Sequence, residues 1–151
     1  MHLTIFDKED LANRAEDLIS LSKLNRNSAI IFDSDKKNPH HTNINSTKTR
    51  LLAEFKKDKG FAWMTKGREI ENYLDYSNLT ETISNVHPNV KFELDRNPYS
   101  NLLQYESGGK KVTMSKVNIA KYYTEHFIPD YSILDLDNQI NKLCKFIISA
   151  N

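Results

Sequence analysis

The sequence has little of several residue types, and each scarcity narrows the classes of protein to which it can belong. One cysteine, Cys144, stands among 151 residues, so an internal disulfide is impossible and a reducing compartment is favoured. Four glycines and four prolines are too few for a low-complexity chain. No apolar run is long enough for a membrane span, and the N-terminus lacks the layout of a signal peptide. We therefore expect a cytoplasmic protein with no membrane partner.

A charge excess of either sign is also missing. The chain carries 21 basic and 20 acidic residues, which leaves a net charge of +1. This balance gives no global electrostatic argument for nucleic acid, so any basic surface must be local. The length suits one domain with its own core.

An apolar run that ends in two aspartates organises the first half of the chain. Residues 28–32 read SAIIF, and Asp33 and Asp35 follow. Such a run predicts a buried strand of a mostly parallel sheet, and the chemistry of open α/β sheets lies beyond the carboxyl ends of the strands. Two carboxylates placed there can bind a hard cation such as Mg²⁺. The alternative is a turn, because Asp favours strand exits for local hydrogen bonding.

Strand and helix patterns alternate before and after this run. We predict a strand over residues 2–6, a helix from Asp7, a helix over 46–58 and a strand over 61–65. This order is typical of βαβ units in a parallel sheet.

A polar segment, KGREIENYL, leaves the strand predicted over 61–65. It should reach the same sheet edge as Asp33. If residues 68–74 form a helical turn, Glu69 and Asn72 share one face and Glu71 lies away from them. The alternative is an amphipathic turn with solvated charges.

The second half has fewer patterns. We predict a short helix capped by Ser77, a short strand over 90–94, turns at 107–109, and a helix over 116–127 capped by Ser115. A last helix begins at Asp135 or Asp137. The expected apolar face of the helix over 116–127 is Val117, Ala120, Tyr123 and Phe127, and that of the last helix is Leu136, Ile140, Leu143, Cys144 and Ile147.

The order of FDSDKK, a helix, an apolar strand and KGREIENYL resembles the Toprim (topoisomerase–primase) nuclease domain. The branch most similar is that of OLD-family (overcoming lysogenization defect) ATP-dependent endonucleases of phage defence. The resemblance implies a mostly parallel α/β sheet flanked by helices, Mg²⁺ or Mn²⁺ as cofactor, and DNA as substrate. We expect a Toprim-like α/β core over residues 1–76 and a mainly helical C-terminal extension over 77–151.

The resemblance also implies roles for acidic residues. Asp33 and Asp35 would bind metal, with Glu69 and Glu71 as further carboxylates and Glu71 favoured as the catalytic one. Two metal ions need several such carboxylates, and together they can stabilise the attacking and leaving oxygens of an in-line displacement.

Basic residues complete the implied site. Lys116 is the first choice for a catalytic lysine before a helix and Lys111 the second, the alternative being a lysine at a solvated helix start. The expected nucleic-acid-binding residues are Lys36, Lys37, Lys66 and Arg68.

The sequence departs from the Toprim pattern at its start. The family's first strand ends in a glutamate, whereas Glu9 is placed like a residue in the first turn of a helix. The first strand would then be missing from this chain. No Walker A motif is present, so an ATPase module would lie on the missing N-terminal part or on a partner chain. A homodimer is the other assembly to consider.

Two other functions stay open. One is a non-catalytic nucleic-acid or protein-interaction module on a degenerate Toprim scaffold. The other is a phosphotransfer receiver-like domain that uses Thr65 and Lys66 beside an acidic pocket. The receiver interpretation leaves the GREIENY segment without a role.

Overall fold

The computed structural model describes residues 27–42, 44–57 and 60–150. The strand predicted over 2–6, the helix predicted from Asp7 and Glu9 itself lie outside these ranges. In chain order the elements are β1 (Ala29–Phe32), α1 (Ser46–Lys57), β2 (Phe61–Met64), a 3-10 helix (Ile70–Tyr73), α2 (Tyr76–Val86), β3 (Gln104–Ser107), β4 (Lys110–Thr113), α3 (Lys116–His126) and α4 (Leu136–Ala150). The chain is therefore mixed α/β.

Strands β1 and β2 form a parallel pair, joined through α1 as the sequence predicts. Within the described ranges each sheet has two strands, so the larger Toprim-like sheet is not seen there. The prediction that β1 is a buried strand is wrong, because Ala29 is exposed and Ile31 is 47% exposed. The reason is that α1 and α4 both pack on β2, and that β2 pairs with one edge of β1.

Helix α4 covers one face of β2. Phe61 and Trp63 of β2 contact Leu136, Ile140 and Leu143, which confirms that part of the predicted apolar face. Leu134, which precedes α4, and Phe146 of α4 pack against the same cluster. Cys144 is exposed, so its predicted packing role is wrong, because Phe146 completes the buried face in its place.

A second core lies between α2, α3 and the β3–β4 hairpin. Leu79, Ile83, Leu103 and Ile119 are its most buried side chains. Residues 90–94 pack against this core without forming a strand, so that predicted strand is wrong. The turn predicted at residues 107–109 is present and joins β3 to β4, with positive φ at both glycines.

Of the two predicted helix caps, the cap of α3 is confirmed and the cap of α2 is wrong. Ser115 caps α3 as predicted, and its hydroxyl accepts a hydrogen bond from the Asn118 N–H. Asp75 rather than Ser77 caps α2, because its carboxylate accepts from the Asn78 N–H at 2.9 Å. Val117 is 77% exposed, so its place on the apolar face of α3 is also wrong. The buried face instead runs through Ile119 and Tyr123.

Among the helices that the structure describes, none combines the length and the apolar character needed to cross a membrane.

Candidate active site

Hydrogen bonds continue past the carboxyl ends of β1 and β2 and join the two loops that follow. The Thr65 N–H donates to the Phe32 carbonyl at 3.1 Å, and the Ser34 N–H donates to Thr65 Oγ1 at 2.8 Å. Ser34 Oγ then donates to the Gly67 carbonyl at 2.5 Å. Ser34 and Thr65 are buried. These bonds hold the FDSD and KGRE segments together, and they use the Thr65 hydroxyl for structure.

Close packing at Gly67 fixes the loop after β2. A Cβ atom added there would lie 2.8 Å from Asn72 Cβ, 2.8 Å from the Pro98 carbonyl oxygen and 3.1 Å from Leu134 Cδ1. The Arg68 N–H donates to the same Pro98 carbonyl at 2.8 Å. Because three separate segments meet at this point, the residues after Gly67 have little freedom to move away from the sheet edge.

The next residues bring the GREIENY segment onto Asp33. The Ile70 N–H donates to Asp33 Oδ1 at 2.8 Å, and the Glu69 N–H donates to Asn72 Oδ1 at 2.8 Å. The 3-10 helix begins only at Ile70, and Glu69 has extended backbone angles. The helical turn expected over 68–74 is therefore formed only in part, and the condition under which Glu71 would lie away from Glu69 is not met.

Lys116 at the start of α3 joins the two glutamates. Its Nζ lies 2.9 Å from Glu69 Oε2 and 2.9 Å from Glu71 Oε1. Both glutamate side chains are 12% exposed, whereas the Lys116 side chain is 42% exposed. We call Asp33, Glu69, Glu71 and Lys116 the inner cluster.

The inner cluster is strongly coupled electrostatically. Burial raises the pKa of the Asp33 carboxyl, the hydrogen bond from Ile70 opposes that shift, and the charge of Glu71 adds to it. Burial alone would lower the pKa of Lys116, but its hydrogen bonds to Glu69 and Glu71 outweigh burial and raise it. Lys116 therefore acts as a fixed cation at neutral pH and cannot serve as a general base.

Asp35 faces a different environment, although it lies two residues from Asp33. It adopts a positive φ of 56°, its side chain is 65% exposed, and its carboxylate forms an ion pair with Lys48 of α1. Lys48 Nζ also donates to the Asp33 carbonyl oxygen at 2.7 Å. We call Asp35 and Lys48 the outer pair. Sequence reasoning missed Lys48; its position in the first turn of the helix after the DSD was the available signal.

The remaining predicted residues lie around the inner cluster rather than in it. Arg68 Nε is 3.3 Å from Glu69 Oε1, while Lys37 and Lys66 are exposed. Lys36 is half-buried and donates its N–H to Ser34 Oγ at 3.2 Å. Lys111 of β4 lines a separate cleft with Lys37 and Arg68, so the structure does not bring it to the glutamates.

The fit of the site to a divalent cation can be judged from its carboxylates. Across residues 27–42, 44–57 and 60–150, no group of three or more His, Cys, Asp or Glu side chains is arranged to hold a metal ion. Glu71 Oε2, however, is buried without a hydrogen-bond partner, and Asp33 interacts with Glu71 electrostatically. Mg²⁺ is usually held by one or two carboxylates together with water and substrate phosphates. The Asp33 and Glu71 carboxylates are oxygen ligands of this kind, whereas the Asp35 carboxylate pairs with Lys48.

Comparison of the chain with protein-family models, curated proteins and solved structures gives no match. Functional inference therefore rests on the geometry of the inner cluster and on the order of motifs in the sequence.

Proposed function

We propose that this chain carries a metal-dependent DNA endonuclease site of the Toprim type, in which Asp33 and Glu71 hold Mg²⁺ or Mn²⁺. The observation that supports it is the orphaned, buried Glu71 Oε2 beside the half-buried Asp33 carboxylate. A buried carboxylate oxygen without a partner is energetically costly, and a hard cation would remove that cost. The location agrees with the proposal, because active sites of open α/β sheets lie beyond the carboxyl ends of the strands.

The bound ion would supply Lewis-acid activation of water and of the phosphodiester. Lys116 stays protonated and offers positive charge to the phosphate oxygens, which gain negative charge as the water oxygen attacks and the sugar oxygen leaves. Glu69 orients Lys116 through the contact of 2.9 Å. Arg68, with the exposed Lys37 and Lys66, can attract the neighbouring phosphates of the strand.

The same proposal includes the wider setting that the Toprim resemblance implies. The endonuclease would act with an ATPase module in phage defence. Asp35 has no catalytic role in it, because its carboxylate is engaged by Lys48 at the surface.

A non-catalytic DNA- or protein-binding module is the second candidate. It is favoured by one observation: the ammonium group of Lys116 already lies between two of the carboxylates, at 2.9 Å from each. In that case Lys116 replaces a metal ion, and binding of a partner needs no divalent cation.

The experiment that separates these functions is calorimetric titration with Mn²⁺ together with a nicking assay on supercoiled plasmid DNA. We expect saturable Mn²⁺ binding by the wild-type chain. Asp33→Asn and Glu71→Gln should each lose binding and nicking, because each removes one of the proposed ligands. Asp35→Asn is the matched control, since it alters a carboxylate two residues from Asp33 and should keep both properties.

Loss of Mn²⁺ binding in Asp35→Asn, with binding kept in Asp33→Asn, would refute the assignment of ligands. DNA binding that is unaffected by a chelator, without any Mn²⁺ binding, would favour the non-catalytic module instead.

A further inference from the structure

A cleft of about 600 Å³ lies beside the inner cluster and contains features that the proposed chemistry does not use. Its walls come from the irregular segment before β3, from the β3–β4 hairpin, and from Lys37 and Arg68 near the sheet edge. Its volume falls within the range of ligand pockets, roughly 300–1,000 Å³. The cleft is therefore of a size that suits a few nucleotide units.

Two half-buried tyrosines line the cleft, Tyr99 and Tyr105. Tyr99 follows a turn in which the Tyr99 N–H donates to Asn97 Oδ1 at 3.0 Å, so its backbone is held in place. Tyr105 packs against the core between α2 and α3. Aromatic side chains in a cleft wall are suitable platforms on which bases stack without regard to sequence.

Three cations, Lys37, Arg68 and Lys111, stand on the same walls as the tyrosines. Alternating cations and aromatic rings match a strand with phosphates on one side and bases on the other. Lys110 is adjacent in β4 and does not line the cleft.

Carboxylates on the walls argue against a duplex as the occupant. Glu93, Asp95 and Glu106 are exposed and line the cleft with the three cations, so its charge is balanced rather than positive. A duplex presents mainly phosphates to such a surface and keeps the edges of its bases paired, so it gains little from the carboxylates or the tyrosines. Unpaired bases present amino groups on their Watson–Crick edges, and carboxylates accept hydrogen bonds from these groups.

Arg68 connects the cleft with the inner cluster. Arg68 lines the cleft, and its Nε is 3.3 Å from Glu69 Oε1. The cleft wall is tied to the same loop, because Asn72 Nδ2 donates to the Ser100 carbonyl at 3.1 Å. A strand that lies in the cleft would therefore contact Arg68, the neighbour of Glu69 in the inner cluster.

We propose that this cleft binds single-stranded DNA, with bases on Tyr99 and Tyr105 and phosphates on Lys37, Arg68 and Lys111, and so makes a single strand the preferred substrate. The inference rests on the proposed function only in naming a substrate. Binding to the cleft itself needs no metal ion and no catalysis.

The test is fluorescence anisotropy of a labelled oligo(dT) of about eight nucleotides, measured in the presence of a chelator. We expect the single strand to bind about tenfold more tightly than a duplex of equal length, and an abasic strand of equal charge to bind about tenfold more weakly. Tyr99→Leu and Lys111→Gln should each weaken binding about fivefold or more. Tyr131→Leu and Lys110→Gln are matched controls outside the cleft and should change binding less than about twofold.

Equal affinity for duplex, abasic and normal single strands would overturn the proposal, as would equal displacement of the oligonucleotide by free dTMP. Equal effects of Lys110→Gln and Lys111→Gln would also overturn it, and Lys111→Gln serves as the test if Tyr99→Leu does not fold. Selective single-strand binding without Mn²⁺ binding or nicking would leave the cleft proposal standing and remove the proposed endonuclease. Metal-dependent nicking of duplex DNA without single-strand selectivity would leave the proposed endonuclease standing and remove the cleft proposal.

Discussion

The inner cluster and the outer pair each contain one aspartate of the same DSD sequence, and the two aspartates have different surroundings. Both regions lie at the same sheet edge, and both place lysine against carboxylate. In the inner cluster the glutamates are 12% exposed and one carboxylate oxygen has no partner. In the outer pair the Asp35 side chain is 65% exposed and its ion pair is open to solvent.

The difference shows that position at a strand end does not by itself create a reactive site. Buried Ser34 separates the two aspartates and turns one towards the GREIENY segment and the other towards α1. Burial then makes the charges of the inner cluster interact more strongly than those of the outer pair, because charges removed from water are less screened than exposed ones.

The largest expected effect on stability comes from removal of Lys116, the lysine of the inner cluster. Lys116→Met leaves Glu69 and Glu71 with no cation between them, and we expect the free energy of unfolding to fall by about 2 kcal/mol, a value reduced for the partial exposure of Lys116. Lys48→Met should lower it by about 1 kcal/mol, since that lysine mainly supports the Asp33 carbonyl. Urea unfolding at neutral pH measures both. Equal losses in the two variants would mean that the inner cluster gains nothing from its burial.

A smaller loss of unfolding free energy is expected at Ser34, which lies between the two aspartates. Ser34→Ala removes the hydrogen bonds from Ser34 Oγ to the Gly67 carbonyl and from the Lys36 N–H, and should cost about 1.5 kcal/mol. The control is Ser84→Ala, which removes one exposed hydrogen bond to the Thr80 carbonyl in α2 and should cost less than about 0.5 kcal/mol. Both are measured by thermal and urea unfolding. A Ser34→Ala variant as stable as the control would show that the DSD geometry does not depend on this hydroxyl.

The smallest expected effect is a gain in stability, and it comes from a change at Asp33. The pKa of Asp33 is raised in the folded state, mainly by burial, so its contribution to stability is present below the unfolded value and is lost as pH rises through the folded value. Asp33→Asn keeps the acceptor for the Ile70 N–H without the charge, and should stabilise the fold slightly at neutral pH.

The pH dependence provides the check on this prediction. The advantage of Asp33→Asn over wild type should be absent below the usual aspartate pKa of 3.8 and should grow as pH rises above it. Asp35→Asn should show a change below about 0.5 kcal/mol at neutral pH. Urea unfolding between acidic and neutral pH gives both curves. If Asp33→Asn is less stable than wild type at neutral pH, the Asp33 carboxylate is stabilised in the fold and the reasoning from burial fails.

Local patterns predicted much of the fold. The βαβ unit over β1, α1 and β2, the cap at Ser115 and the contacts of Leu136, Ile140 and Leu143 all follow from short-range periodicity and capping. The exposure of Val117 and Cys144 could not be predicted in this way. Several adjacent positions on a helix are apolar, and the partner element decides which of them is buried.

The site was predictable in its members and not in its geometry. The shared strand polarity of β1 and β2 was enough to expect Asp33 near the GREIENY segment. The separation of Asp35 depends on a positive φ at a non-glycine residue, which has no clear sequence signal, and on Lys48, whose position in the first turn of α1 was the available signal. The meeting of Glu69 and Glu71 on Lys116 depends on extended backbone at Glu69, which a helical pattern does not reveal.

The long sequence separations in the inner cluster also set the order in which it can form during synthesis. Lys116 follows its partner Glu69 by 47 residues. A ribosome releases the chain from the N-terminus, so the acidic residues emerge well before the lysine that joins them. The nascent chain therefore has no completed cluster, and the site is assembled only when α3 has left the ribosome.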